Sequence, residues 1–341
     1  MKSISAEELL DLATEALEGQ GFPAGVAREV AAEFVIADLA GVRTHGLGKL
    51  VSLNLGDFSA APEVSERGAV LSVDARGGNG FVVLRAVAEF VGQRCREYGM
   101  CAAFVRNFSR YSSLYPYTDL LAREGLVGIL INSAGPSAVA PFGSIDPLTG
   151  TNPICFSFPT PGRTPQTFDF ATADVVWGEI RQAALEGRAL PSGPFLDAAG
   201  DVTSDPASVN AVRAFGGAKG WALNLAIEIL AGLLPGARAG REVESEFDCG
   251  AMLLGLDPDA SGNNSVLFAE QVAGLLESVR ETRPENDVGR VRAPGDRGRS
   301  RMSVSESAQS LIEVPEATVE MMQRMAAGEK IAELASNPRF N

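Results

Sequence analysis

A chain of 341 residues and 35.7 kDa can bury one large core or two modest ones, which excludes a mini-protein held together by staples. With 45% hydrophobic and 21% charged residues and a mean hydropathy of +0.07, it is too apolar to be a disordered chain. Against 43 Asp+Glu stand 29 Lys+Arg, and the resulting net charge of −14 repels phosphate backbones and anionic lipid, so neither nucleic acid nor a membrane is an expected partner.

Ser5-Ala6-Glu7-Glu8 forms a capping box, and Leu9, Leu10, Ala13, Ala16 and Leu17 recur at helical spacing until Gly19 and Gly21. Glu7, Glu8, Asp11 and Glu15 stand where a signal peptide would need a basic and then an apolar stretch, so a cytoplasmic location is expected. Pro23 opens a second amphipathic segment, with Val26, Val30, Phe34, Ala37 and Leu39 on one face before Gly41. The polar cluster Arg43-Thr44-His45-Gly46 follows directly.

From Val70 the character changes to short β-rich runs: Val70 to Val73, Ala102 to Val105, Val127 to Asn132 and Ile154 to Phe158. Helical patterns cover Phe81 to Tyr98, Tyr117 to Glu124 and Gly216 to Leu234. A late strand is predicted over Ala251 to Leu256, a loop rich in Arg, Gly, Pro and Asp over Arg283 to Ser305, and a last helix over Pro315 to Leu334. Helical ends therefore bracket a sheet-bearing middle. Cys95, Cys101, Cys155 and Cys249 form no C-x-x-C pair and read as buried thiols, with neither a zinc knuckle nor a disulfide framework indicated and no metal expected.

No complete G-x-G-x-x-G or Walker sequence is present, because Val83 stands where Gly77-Gly78-Asn79-Gly80 would need its third glycine. Gly216-Gly217-Ala218-Lys219-Gly220 opens a helix, where free N–H groups and an ammonium would suit a pyrophosphate; a plain glycine turn fits equally well. Gly150-Thr151-Asn152-Pro153 and Asp169-Phe170-Ala171-Thr172-Ala173 are polar turns beside strands, able to fix a ribose or nicotinamide or to serve only as turns. His45 is the single histidine, and its unperturbed pKa near neutrality makes it the first candidate for a proton donor, with Lys49 one helical turn on to hold a carboxylate. The bland alternative is a surface histidine between solvated cations.

The order of these motifs resembles the malate/L-lactate dehydrogenase family. The matching pieces run from Thr44-His45-Gly46 through Val105-Arg106-Asn107, Pro141-Phe142-Gly143, Gly150 to Pro153, Asp169 with Ala171-Thr172, Leu190-Pro191-Ser192-Gly193, Asp205-Pro206 and Phe215 to Gly220 to Pro294-Gly295-Asp296-Arg297. The resemblance implies an α/β, non-Rossmann nicotinamide-binding fold. Its helical domain would be built from both chain ends, 1–68 plus 305–341, and its mixed-sheet dinucleotide-binding domain would span 69–304. It also implies an NAD- or NADP-dependent oxidoreductase, usually a homodimer, acting on a small carboxylate. By position, Ser133, Asp169, Phe170, Ala171, Thr172, Ala173, Asp174, Val175, Lys219, Gly220, Gly295, Asp296 and Arg297 are the cofactor candidates, while His45, Lys49 and Arg110 are the catalytic ones.

The family usually has Asn-Ser-x-His where this chain reads Asn107-Phe108-Ser109-Arg110, so the usual catalytic histidine is Arg110. A permanently charged guanidinium can hold a carboxylate but cannot shuttle a proton at neutral pH. Lys49 likewise replaces an arginine, and Leu53 a tyrosine. The expected activity is reduction of a small 2-oxo acid or cyclic imino acid with His45 as proton donor. The alternative is a divergent member in which hydride transfer has been lost or repurposed.

Overall fold

The structure is a computed structural model that describes residues 1–39, 46–133, 135–286, 289–296 and 310–335. Strand β1 (Lys2–Ser5) leads into helix α1 (Ala6–Gln20), whose capping box forms as the sequence predicts: Ser5 Oγ accepts from Glu8 N and Ser5 N donates to Glu8 Oε2, both at 3.3 Å. Helix α2 (Ala24–Leu39) follows. The sheet region then runs β2 (Glu63–Arg67), β3 (Val70–Gly78), helix α3 (Gly80–Tyr98), β4 (Met100–Phe108), helix α4 (Tyr115–Arg123) and β5 (Val127–Asn132). It continues with β6 (Ile154–Phe158), β7 (Gln166–Phe170), helix α5 (Trp177–Leu185), the short β8 (Phe195–Leu196) and β9 (Ala211–Val212), and helix α6 (Ala218–Ile227). Strand β10 (Gly250–Leu256), helix α7 (Ser265–Arg280), strand β11 (Leu311–Val314) and helices α8 (Glu316–Ala326) and α9 (Ile331–Leu334) complete the described chain.

The main sheet has seven strands in the order β2-β3-β4-β10-β5-β6-β7. Only β3 and β4 pair in parallel, with α3 as the crossover between them, so the sheet is mixed. Alternation in β3 sends Leu71, Val73 and Ala75 inward, where they pack with Leu84 and Val91 of α3 and Val105 of β4. A second core joins distant parts of the chain: Leu9, Leu17, Phe34 and Leu50 pack with Ile312, Met322 and Met325. Each such fully buried side chain contributes on the order of 1.5–3 kcal/mol relative to exposure. Pairing of β1 with β11 in antiparallel register, Lys2 opposite Val314, ties the two ends together.

Two predicted helices are interrupted. The run expected over Gly216 to Leu234 is α6 followed by a π-turn over Glu228–Leu233. Here the buried Glu228 carboxylate accepts from Asn152 Nδ2 at 2.8 Å and from Gly240 N at 2.7 Å, bonds made with residues distant in sequence. The last helix divides into α8 and α9 around Gly328, whose φ of +92° ends a helical turn. Helices α5 and α7 and strands β1, β2, β7, β8, β9 and β11 were not expected. All four cysteines are free and buried.

Candidate active site

The cavity is built where the end of α2, the turn after it and the 108–115 loop meet the far edge of the sheet. Asp38, in the last turn of α2, accepts from Leu47 N at 2.8 Å. A Cβ on Gly46 would stand 1.8 Å from Asp38 Oδ1, so only glycine permits this approach. The clamp fixes the 3-10 turn Leu47–Ser52 and with it Lys49. On the opposite side, Asp169 at the end of β7 accepts from Leu114 N at 3.0 Å and Tyr115 N at 3.1 Å, closing the exposed donors at the start of α4. That bond holds the 108–115 loop, and Arg110 with it, against the sheet.

Between these anchors lies a cavity of about 1370 Å³, whose lining includes Glu33, Lys49, Arg110, Tyr111 and Asn132 together with Phe170, Ala171, Trp177, Arg181 and Gly295. Arg110 Nη2 donates to Gly135 O at 2.6 Å, and Tyr111 Oη to Asn132 Oδ1 at 2.9 Å. Lys49 is half-buried and in electrostatic contact with both Glu33 and Arg110; loss of water pulls its pKa down, Glu33 pulls it up and Arg110 down. Glu33 is 6% exposed, and burial pushes its carboxyl up to about 7 against the opposing influence of Ser113, Lys49 and Ser112. Among the described residues its fully buried Oε1 has no hydrogen-bond partner, nor has the neighbouring Ser112 Oγ. The carboxyl of Asp169 is pushed up to about 6 by desolvation, partly offset by the two amides it accepts from.

Of the catalytic candidates, Lys49 and Arg110 share this lining; His45 lies outside the described residues, as does the cofactor candidate Arg297. Phe170, Ala171, Asp169 and Gly295 also line the cavity. Gly295 has a φ of +86° and stands so near Thr167 O that a Cβ would come within 2.2 Å, while Gln166 Nε2 bonds Pro294 O, so this loop is pinned onto β7.

The other described cofactor candidates are not part of the cavity lining, and several are engaged within the protein. Ser133 Oγ accepts from Gly250 N at 2.9 Å, and Asp296 makes a two-pronged pair with Arg280 at 2.7 and 3.0 Å. Thr172 Oγ1 lies 2.9 Å from Thr151 O and from Asn152 O, and accepts from Asn224 Nδ2 at 2.9 Å. The two polar turns thus bond to each other and to α6. Ala173 is in a small core with Phe195 and Val212, Val175 packs on its edge, and Asp174 is exposed with its backbone N–H donating to Arg213 O. Lys219 is exposed and Gly220 buried at the start of α6. The lining also includes Glu33, Trp177 and Arg181, which the sequence reading missed. For Glu33 a signal existed: it stands three residues after Val30 and beside Phe34, a carboxylate inside an apolar helical stripe. No group of three or more metal-ligating side chains occurs among the described residues.

Residues 4–323 match the sequence pattern of the malate/L-lactate dehydrogenase family. A Δ1-pyrroline-2-carboxylate/Δ1-piperideine-2-carboxylate reductase of Pseudomonas syringae pv. tomato is 32% identical, over 95% of this chain and 96% of that protein. A (2R)-3-sulfolactate dehydrogenase (NADP(+)) of Chromohalobacter salexigens is 31% identical over 95% and 98%. The crystal structure of the Δ1-piperideine-2-carboxylate reductase from P. syringae superposes with a TM-score of 0.80 at 30% identity, covering 95% of this chain and all of that one. Malate dehydrogenase from Entamoeba histolytica, at 21% identity and a TM-score of 0.86 over 96% and 97%, shares the fold. By its motifs, its mixed sheet and these relatives, the chain belongs to the malate/L-lactate dehydrogenase family and is an oxidoreductase.

Proposed function

We propose that this protein uses NADH or NADPH to reduce a small 2-oxo acid or cyclic imino acid, with Lys49 and Arg110 holding the substrate carboxylate. The observation that carries the reading is the pairing of Lys49 with Arg110 on one cavity wall in a chain of this family. Pockets that hold one drug-sized ligand are about 300–1,000 Å³, so this cavity has room for a dinucleotide and a small acid together. Phe170, Ala171, Trp177 and Gly295 offer apolar and backbone surface to a flat ring, and Arg181 offers charge to a phosphate. When bound, the reduced nicotinamide supplies the hydride. The chain's own work is to orient the acid, exclude water and deliver a proton.

Arg110 polarises and holds but cannot give up its proton, so His45 is proposed as the group that protonates the carbonyl oxygen or ring nitrogen. Loss of absorbance from NADH or NADPH with a panel of 2-oxo and cyclic imino acids tests the reading. His45→Ala is expected to abolish that loss while leaving dinucleotide affinity intact; unchanged turnover would remove His45 from the role. Thermal stabilisation by the dinucleotide with no oxidation by any acid would favour the repurposed alternative, which the arginine at position 110 motivates. Leu225, Ile229 and Leu233 are exposed along α6 and its π-turn, which supports burial of that face in a homodimer, to be measured as molecular mass by light scattering. No helix among the described residues is long and apolar enough to cross a membrane, and free buried thiols suit the reducing cytoplasm proposed here.

A further inference from the structure

Lys49 and Arg110 stand in the cavity lining as like charges in electrostatic contact, and an anchor made of both works only while both are charged. A guanidinium keeps its proton inside a protein; an ammonium does so only with help. Lys49 sheds water on the 3-10 turn Leu47–Ser52 and faces the Arg110 charge, and both effects favour its neutral form. What opposes them is an acid. The charged and titratable groups on the elements around this turn are Glu33 and Asp38 of α2, Arg110 and Tyr111 of the 108–115 loop, Glu313 of β11 and Glu333 of α9. Asp38 is engaged by Leu47 N, Tyr111 donates to Asn132 and burial keeps its hydroxyl protonated, and Glu313 and Glu333 are exposed. Among the described residues, Glu33 is the one acid in electrostatic contact with Lys49. Its Oε1 is fully buried, beyond the reach of a ligand, so its influence on the site passes through the lysine.

We propose that Glu33 is a positioning residue for the carboxylate anchor: it is the buried counter-charge that keeps Lys49 an ammonium beside Arg110, so the site retains two cations for an acid above neutral pH. This deepens the proposed reduction and rests on its placing of the substrate carboxylate between Lys49 and Arg110. The sign follows from the acid's own ionisation. Glu33 loses its proton near pH 7, so it supports the Lys49 charge above that pH and not below it. An ionised Glu33 that did no more than repel an incoming anion would give the opposite sign, with tighter binding once its charge is removed.

The test reads Lys49 directly. The sequence has only four lysines, Lys2, Lys49, Lys219 and Lys330, so isotope-labelled lysine followed at Cε by NMR resolves each of them, and Lys49→Arg identifies the resonance by its loss. Without any ligand, the Lys49 resonance of the wild type is expected to move near pH 7 as Glu33 ionises. In Glu33→Gln its titration midpoint is expected to fall by about one pH unit or more. Titration calorimetry with oxamate, a small unreactive carboxylate, on the full chain loaded with NADH reads the consequence: Glu33→Gln is expected to bind about tenfold or more weaker than the wild type at pH 8 and about equally at pH 6. The double variant Lys49→Arg/Glu33→Gln carries a cation that cannot lose its proton, and it is expected to recover the pH 8 affinity to within about threefold. An unshifted Lys49 midpoint in Glu33→Gln, equal or tighter oxamate binding by that variant at pH 8, or a double variant as weak as Glu33→Gln would each overturn the proposal. Should Glu33→Gln fail to fold, the wild-type resonance decides, and no movement near pH 7 overturns it. Failure of the proposed reduction reads differently: a wild type that binds no oxamate at either pH removes Lys49 and Arg110 from the carboxylate role whatever the resonance does, whereas turnover of 2-oxo acids with an unshifted lysine midpoint overturns this inference and spares the reduction.

Discussion

Desolvation that outweighs the groups opposing it explains both perturbed carboxyls of the cavity, and for Glu33 it gives a measurable signature. Glu33 has its pKa raised from 4.5 to about 7, so the unfolded chain loses this proton before the folded one does. Its contribution to stability is therefore complete below pH 4.5, falls as pH rises towards about 7, and is flat above. At about 1.4 kcal/mol per pKa unit the loss is on the order of 3 kcal/mol. Glu33→Gln cannot ionise; compared with the wild type it is expected to gain stability at pH 8 and little at pH 4, read from urea unfolding at both pH values. Asp169 is different in kind, because its oxygen is already spent on Leu114 N and Tyr115 N. Asp169→Ala is expected to cost about 1–3 kcal/mol in the same measurement by orphaning those donors. Any loss of dinucleotide affinity in that variant would follow from the loosened 108–115 loop.

Helices and strands were legible to different degrees for a physical reason. The strands Val127–Asn132 and Ile154–Phe158 appear with the predicted bounds, since continuous β-rich runs between turns carry their own signal. Helix α7 escaped because its apolar residues form no buried stripe: only Leu276 is buried, while Val266, Leu267 and Leu275 are exposed. The π-turn after α6 was equally unreadable, being set by Glu228's bonds to residues 152 and 240. Among elements, the α2 end is the most consequential, since Asp38 holds the turn that carries Lys49. Asp38→Ala is expected to raise KM for acid substrates several-fold through a displaced Lys49 while lowering stability by about 1–2 kcal/mol; steady-state kinetics beside urea unfolding would separate the two effects.

Across the whole molecule the net charge is −14, and the cavity wall carries Glu33, Asp38, Asp119, Asp169 and Glu313 beside Lys49, Arg110, Arg123 and Arg181, so attraction for an anion comes from where Lys49 and Arg110 stand together and not from the cavity as a whole. The tie between chain ends matters as much, because β1 and β11 close one core made of residues some 300 positions apart. Removing residues 1–5 deletes that pairing, the Ser5 cap and the burial of Ile4, and is expected to lower Tm by about 5 °C or more in calorimetry.

By itself the sequence determined the Ser5 capping box, five of the seven strands of the main sheet, the mixed α/β class and the run of motifs that marks the family, because these depend on residues a few positions apart. Only the tertiary structure decided that Asp169, Thr172, Ser133 and Asp296 bond within the protein and that Glu33 joins Lys49 and Arg110 at the cavity. Which polar groups lose water, and which find a partner after losing it, is fixed by segments that meet only when the chain folds.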